Sequence, residues 1–158
     1  TGLAYLRPFA DFFHEAAKKN EIKKELLYAI ARTESFFDPN AVSRAGAIGL
    51  AQLLPSTAKY EGMKEGENLS DIRTNLNLAA KHLSRLLAQF TPVPEYAIAA
   101  YNAGAPAVNR WRTRYEDADV AQWVELIGYP ETKDYVKKVV LAQAIYQELS
   151  RQAASAGS

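Results

Sequence analysis

The sequence contains no cysteine, which rules out disulfides, thiol nucleophiles and cysteine-ligated metals. It holds only two histidines, His14 and His82, and neither has another histidine or a carboxylate at ligand spacing, so no zinc site is expected. Charge of one sign is missing too: 19 basic against 18 acidic residues leave +1, too little for a nucleic-acid footprint or a polybasic membrane patch. No apolar run approaches the roughly 18 residues of a spanning helix. No basic stretch followed by a short apolar segment opens the chain as a signal peptide would.

What is present is ordinary for a globular domain. Hydrophobic residues make up 48% and charged residues 23%, and 158 residues suit one domain with one core, residues 1–158. The abrupt opening at Thr1 and the AASAGS tail read as the edges of a domain cut from a longer chain.

Periodicity is helical almost throughout. Pro8 to about Asn20 carries Phe9, Phe12, Phe13 and Ala16 at i, i+3, i+4, i+7. Lys23 to Phe37 follows, with Leu26, Leu27, Ile30, Ala31 and Phe37 on one side, and Asp38-Pro39-Asn40 is expected to end it. Residues 41–54 are small and broken by Gly46 and Gly49, which predicts a loop with at most a short hairpin. Further helices are expected at Pro55–Glu61, at Asp71–Phe90 with Ser70 as N-cap, and at Pro94–Ala103 stopping at Gly104. The remaining helices run over Pro106–Arg112, Val120–Ile127 and Glu131–Arg151. The fold class is therefore mainly α, without the strand–helix alternation of nucleotide-binding folds.

The residue that breaks this pattern is Glu34. At roughly 100° per residue, Leu27, Ile30 and Ala31 lie within about 60° of it, so it points with the apolar stripe near the helix's C-terminal end. Desolvation and the negative end of the helix dipole would both raise its pKa, as a general acid requires. The plain alternative is a carboxylate at the edge of the stripe that reaches water.

The surrounding residues bear on that choice. Glu34-Ser35, then Pro39, Ala41, Ser43, the Gly46-Ala47-x-Gly49-Leu50-x-Gln52 run and Pro55-x-Thr57-Ala58 resemble the signature of the soluble lytic transglycosylase (SLT) family of bacterial cell-wall enzymes. Leu69-x-Asp71-x-x-x-Asn75-Leu76, then Ala99-Ala100-Tyr101-Asn102-Ala103-Gly104 with Val108 and Trp111, continue the resemblance. Trp123, Glu125 and Ile127, then Glu131-Thr132-Lys133-x-Tyr135-Val136, complete it, so that it covers about residues 22–146 in the family's order. Ala51, Ile72, Ala79 and His82 depart from it, standing where Met, Pro, Gly and Tyr are common.

The resemblance implies a lysozyme-like fold, with helices around a glycan-binding cleft and at most a very small β element. It implies cleavage of the β-1,4 bond between N-acetylmuramic acid and N-acetylglucosamine in peptidoglycan, closing the muramic 6-hydroxyl onto C1 to leave a 1,6-anhydro product. Glu34 would be the single acid and base, with the substrate's acetamido group assisting, a known exception to the two-carboxylate pattern. Tyr101 would orient Glu34 or the intermediate, and Ser43, Gln52, Asn102 and Glu131 would bind substrate. For each there is a structural alternative: a core tyrosine, turn chemistry at Ser43 and Gln52, a helix-end role for Asn102, a dipole role for Glu131. Trp111 and Trp123 fall on apolar stripes and are expected in the core. No metal or cofactor is implied. The expected partners are peptidoglycan strands and muropeptides, together with other cell-wall enzymes, for a monomer in the bacterial periplasm or envelope. A goose-type lysozyme of the same fold and a non-catalytic glycan-binding module are the alternatives, and the retained Glu34 argues against the second.

Overall fold

The computed structural model describes residues 5–157, so the domain edges read at Thr1 and Ser158 lie outside the described residues. Eight helices appear among them: α1 (Ala10–Lys19), α2 (Lys24–Ser35), α3 (Pro55–Tyr60), α4 (Ile72–Gln89), α5 (Pro94–Ala103), α6 (Ala105–Arg114), α7 (Val120–Leu126) and α8 (Pro130–Ala156). The only extended pairing described is two isolated antiparallel bridges, Val42 with Ile48 and Ile48 with Leu53. The expected mainly α architecture with a very small β element is what forms.

The centre of the fold is α2. Leu26, Leu27, Tyr28, Ala29, Ile30 and Ala31 are buried in succession, so the helix is enclosed around its circumference rather than along one stripe. α8 and α1 lie against it, α4 packs on α1, and α5 packs on α4, α6 and α8. Burying a side chain such as Leu27 or Ile30, both fully covered, contributes about 1.5–3 kcal/mol each. In α5 the buried Ala97, Ala99 and Ala100 have no bulk beyond Cβ, which lets α4 and α8 approach closely. An aromatic group formed by Phe13, Tyr28, Phe37 and Tyr146 seals the α1 and α8 sides of α2.

Several boundaries differ from the sequence expectation. α2 stops at Ser35, because Phe36 (φ 53°) and Phe37 (φ 65°) both turn left-handed. Left-handed backbone costs a non-glycine residue energy, and burial of the Phe37 ring against Phe13 and Tyr28 offsets it. The chain has therefore left the helix before Asp38-Pro39-Asn40. The N-cap of α4 is Asp71 and not Ser70: the Asp71 carboxylate accepts from the Thr74 amide at 3.0 Å. α1 starts at Ala10 because Phe9 is itself left-handed (φ 57°), and α8 extends beyond Arg151 to Ala156.

Candidate active site

Glu34 occupies the last turn of α2, partly buried, where the helix hands over to the loop. Burial pushes its carboxyl up from 4.5 to about 7; the Tyr135 hydroxyl pulls it down, and the charge of Glu131 pushes it up again. The buried Tyr135 hydroxyl has no partner in hydrogen-bonding geometry, so it faces the carboxyl as an unspent donor. The phenols of half-buried Tyr101 and buried Tyr135 are both held well above the ordinary tyrosine range, by burial of the hydroxyl first and then by the Glu34 charge. One carboxyl, two neutral phenols and a more distant exposed carboxylate, Glu131, thus share a single electrostatic neighbourhood.

The loop over residues 41–54 is fixed to this point by neighbouring side chains. Ser35 Oγ donates to the Leu50 carbonyl at 2.8 Å and accepts from the Asp38 amide at 3.1 Å, tying the loop to the end of α2 beside Glu34. Asn75, buried in α4, is the hub on the other side. Its Nδ2 donates to Ile48 O (2.9 Å) and Leu69 O (3.0 Å), while its Oδ1 accepts from the Ala51 amide at 2.9 Å. Gly49 sits at φ 85°, and a Cβ there would come within 2.3 Å of Asn75 Nδ2 and 2.4 Å of Leu69 O, so the loop closes over Asn75 only with glycine. The Ala51 carbonyl then accepts the Tyr101 hydroxyl at 2.7 Å, which joins the loop to α5.

Other residues singled out in the sequence fall around this core. Gln52 (φ 52°) donates its Nε2 to Ala41 O (3.0 Å) and Gly49 O (2.9 Å), leaving its side-chain carbonyl free to accept. Ser43 Oγ accepts from the Ala47 amide at 3.0 Å on the exposed rim of the loop. Asn102 follows Tyr101 and accepts from the buried Thr132 hydroxyl at 2.7 Å, which ties α5 to the first turn of α8. Glu131 is exposed in that same turn. Trp111 and Trp123 are buried edge to face in the core. The structure therefore gathers Glu34, Tyr101 and Glu131 and places Gln52, Ser43 and Asn102 on the adjoining loop and helix end.

Three residues that the sequence showed only as motif positions, with no role in the site, take part in it: Tyr135, Thr132 and Asn75. Tyr135 lies four residues after Glu131, one helical turn along the same face, and that spacing was its available signal. Asn75 is a polar residue in the apolar stripe of α4, the type that is buried only when fully hydrogen-bonded. Chemically, the arrangement offers one proton donor poised near neutrality, with phenols to orient it and no second carboxylate in direct contact. Among the described residues no group of three or more His, Asp or Glu gathers as a metal site.

Comparison with known proteins gives the family. The family model described as the transglycosylase SLT domain matches residues 11–124. The soluble lytic murein transglycosylase of Escherichia coli strain K12 is 33% identical over 147 residues, covering 88% of this chain and 23% of that protein. Membrane-bound lytic murein transglycosylase D of the same strain is 29% identical over 148 residues, covering 91% of this chain and 32% of that one. The structure of the 70 kDa soluble lytic transglycosylase of Escherichia coli aligns with a TM-score of 0.87 at 32% identity, over 92% of this chain and 25% of that one. A complex of the 70 kDa enzyme with bulgecin A aligns with a TM-score of 0.88. The chain thus spans about a quarter of the length of these soluble relatives. Its helices adopt the lysozyme-like fold of those structures, and with the family model matching well over half its length, the chain belongs to the transglycosylase SLT domain family.

Proposed function

We propose that this domain is a peptidoglycan lytic transglycosylase that uses Glu34 as its single acid and base. The observation that carries the reading is the Glu34 carboxyl, desolvated to a pKa of about 7 with no second carboxylate in direct contact. Protonated, it donates to the glycosidic oxygen between N-acetylmuramic acid and N-acetylglucosamine, and the C1–O bond breaks as that proton is taken up. The substrate's acetamido carbonyl stabilises the developing cation at C1. Glu34, now a carboxylate, takes the proton of the muramic 6-hydroxyl, whose oxygen closes onto C1. The enzyme returns to its starting state, no water is consumed, and the product ends in a 1,6-anhydro ring.

The Tyr101 hydroxyl, anchored on Ala51 O, and the unspent Tyr135 hydroxyl orient the Glu34 carboxyl through this exchange. The free side-chain carbonyl of Gln52 suits a sugar acetamido N–H. The Ser43 hydroxyl, which already accepts a backbone amide, has its proton left to donate to a sugar oxygen. Asn102, whose Oδ1 accepts from Thr132, keeps its side-chain amide N–H for substrate at the end of α5, and exposed Glu131 suits a cationic group on the peptide stem. The partners are peptidoglycan strands and muropeptides of the bacterial envelope, for a protein acting as a monomer.

The test is mass spectrometry of muropeptides released from purified sacculi by the chain and by its Glu34→Gln variant. Products one water lighter than hydrolytic ones, at least about 10³-fold fewer with the variant, are expected. Reducing-end products would move the domain to the lysozymes, and wild-type rates from the variant would remove Glu34 from the mechanism.

A further inference from the structure

Behind Tyr101 lies a charged cluster that the proposed mechanism does not use. Its centre is Glu61, which follows the last residue of α3 and whose side chain is 0% exposed. A carboxylate taken fully out of water must be paired, and Glu61 is paired several times over. Arg85 donates from Nε (3.1 Å) and Nη2 (3.0 Å) to Oε1, and His82 Nδ1 lies 3.0 Å from Oε2. Lys81 Nζ donates to the Glu61 backbone carbonyl at 2.8 Å. Burial pushes the Glu61 carboxyl up, but the hydrogen bonds and charges of Arg85 and His82 outweigh it and hold the group below the ordinary carboxylate range.

Arg85 alone would neutralise Glu61 and tie α3 to α4. His82 adds something Arg85 cannot, because its ring packs against the ring of Tyr101, with centroids 5.6 Å apart at 50°. The ionised acceptor at Oε2 selects the tautomer with hydrogen on Nδ1, and the imidazolium carries that hydrogen as well. The imidazole is therefore held in one orientation in either charge state. The charged and titratable groups that face it are Glu61 from the end of α3, Lys81 and Arg85 on α4 itself, and Tyr101 from α5, with Glu34 beyond Tyr101.

We propose that His82, fixed through Nδ1 by the buried Glu61 carboxylate, is a positioning residue that holds the Tyr101 ring so that its hydroxyl stays on Ala51 O, in the neighbourhood of Glu34. This rests on the transglycosylase reading only for its kinetic readout. His82→Phe keeps an aromatic ring against Tyr101 but removes the anchor to Glu61, and His82→Asn keeps a donor for Glu61 but removes the ring.

Each is made alone and with Tyr101→Phe, and turnover of soluble glycan strands is measured alongside thermal stability. A ring displaced by a fraction of an ångström to about 1 Å is expected to lower kcat about tenfold to a hundredfold with KM little changed. In the Tyr101→Phe background, where there is no hydroxyl left to place, the same His82 substitutions are expected to change kcat less than about twofold, because the two residues act as one unit. Equal losses in both backgrounds, or no loss in either, would overturn the proposal. If the parent chain releases no muropeptides, the transglycosylase reading fails by itself, and the positioning claim is decided by nuclear magnetic resonance of ring-labelled tyrosine. A Tyr101 Cζ resonance that moves in both His82 variants supports it, and one that stays in place sinks it.

Discussion

Replacing Glu34 by glutamine tests the burial that underlies the proposed chemistry without measuring catalysis at all. In the fold the carboxyl has been pushed from 4.5 to about 7. A group whose folded pKa is raised contributes stability that is fully present below its unfolded value and lost as pH rises through the folded value. At about 1.4 kcal/mol per tenfold change in proton affinity, the interval from 4.5 to about 7 corresponds to about 3 kcal/mol, an upper figure because water reaches part of the side chain. Glutamine has nearly the same shape, presents a side-chain oxygen to the Tyr135 hydroxyl as the carboxyl does, and never ionises. Near pH 4, where the carboxyl is protonated in the folded chain and mostly protonated in the unfolded one, Glu34→Gln is expected to match the parent to within a few tenths of a kcal/mol. Through the interval up to 7 the variant gains steadily, and by about pH 8 it is more stable by about 2–3 kcal/mol, or roughly 4–12 °C in Tm for a chain of this size. Denaturation of both proteins across that range gives the difference directly, since every other ionisable group is common to the two and cancels. A stability difference that stays flat from about pH 4 to about pH 8 would show that Glu34 is not desolvated, and the general-acid reading would lose its foundation.

Gly49→Ala is expected to cost about 3 kcal/mol or more, since the added methyl would meet Asn75 Nδ2 at 2.3 Å and Leu69 O at 2.4 Å on a backbone already at φ 85°; a loss under about 1 kcal/mol in chemical denaturation would contradict the loop geometry. Asn75→Leu removes three hydrogen bonds at once: the Ala51 amide and the Leu69 carbonyl lose their side-chain partner, and the Ile48 carbonyl keeps only the Leu53 amide. Its expected cost is about 3 kcal/mol, with turnover falling as the loop loosens. Tyr135→Phe removes the group that lowers the Glu34 pKa, so the pH at which turnover falls by half should move upward; a downward shift in the pH–rate profile would show that Tyr135 does not act on the carboxyl.

How much of this was legible in the sequence depended on whether local or tertiary physics decided each position. α4 and α8 follow their apolar periodicity closely, because long helices with one buried stripe are determined by spacing alone. The end of α2 was not legible: Phe36 and Phe37 continue the helical pattern, yet the chain turns there because the Phe37 ring finds a pocket between Phe13 and Tyr28. That pocket is built by residues far away in sequence. The same division runs through the site. The direction of Glu34 follows from a helical wheel, and Gly49 was visible as a loop residue, but its constraint comes from Asn75, which lies in another helix. Tyr135 stood in the sequence only as part of the Glu131–Val136 motif, with no role attached; the placement of α8 against α2 turns its hydroxyl toward a carboxyl.

The site is costly to the fold, and the surrounding hydrogen bonds show how that cost is met. At neutral pH a desolvated Glu34, two left-handed phenylalanines and the left-handed Gln52 all oppose folding within one short stretch. The stretch is held by side chains that bind backbone: Ser35 on Leu50, Asn75 on Ile48, Ala51 and Leu69, Gln52 Nε2 on Ala41 and Gly49, Tyr101 on Ala51. Such bonds contribute about 1 kcal/mol each, so they offset strain of the same order and leave the loop with one conformation. A loop fixed in this way can hold a sugar against Glu34 without ordering itself at the moment of binding, which is where a one-carboxylate mechanism gains its geometric precision. The expected consequence is that substitutions at these backbone-binding residues lose stability and turnover together, whereas Glu34→Gln loses turnover while gaining stability at about pH 8.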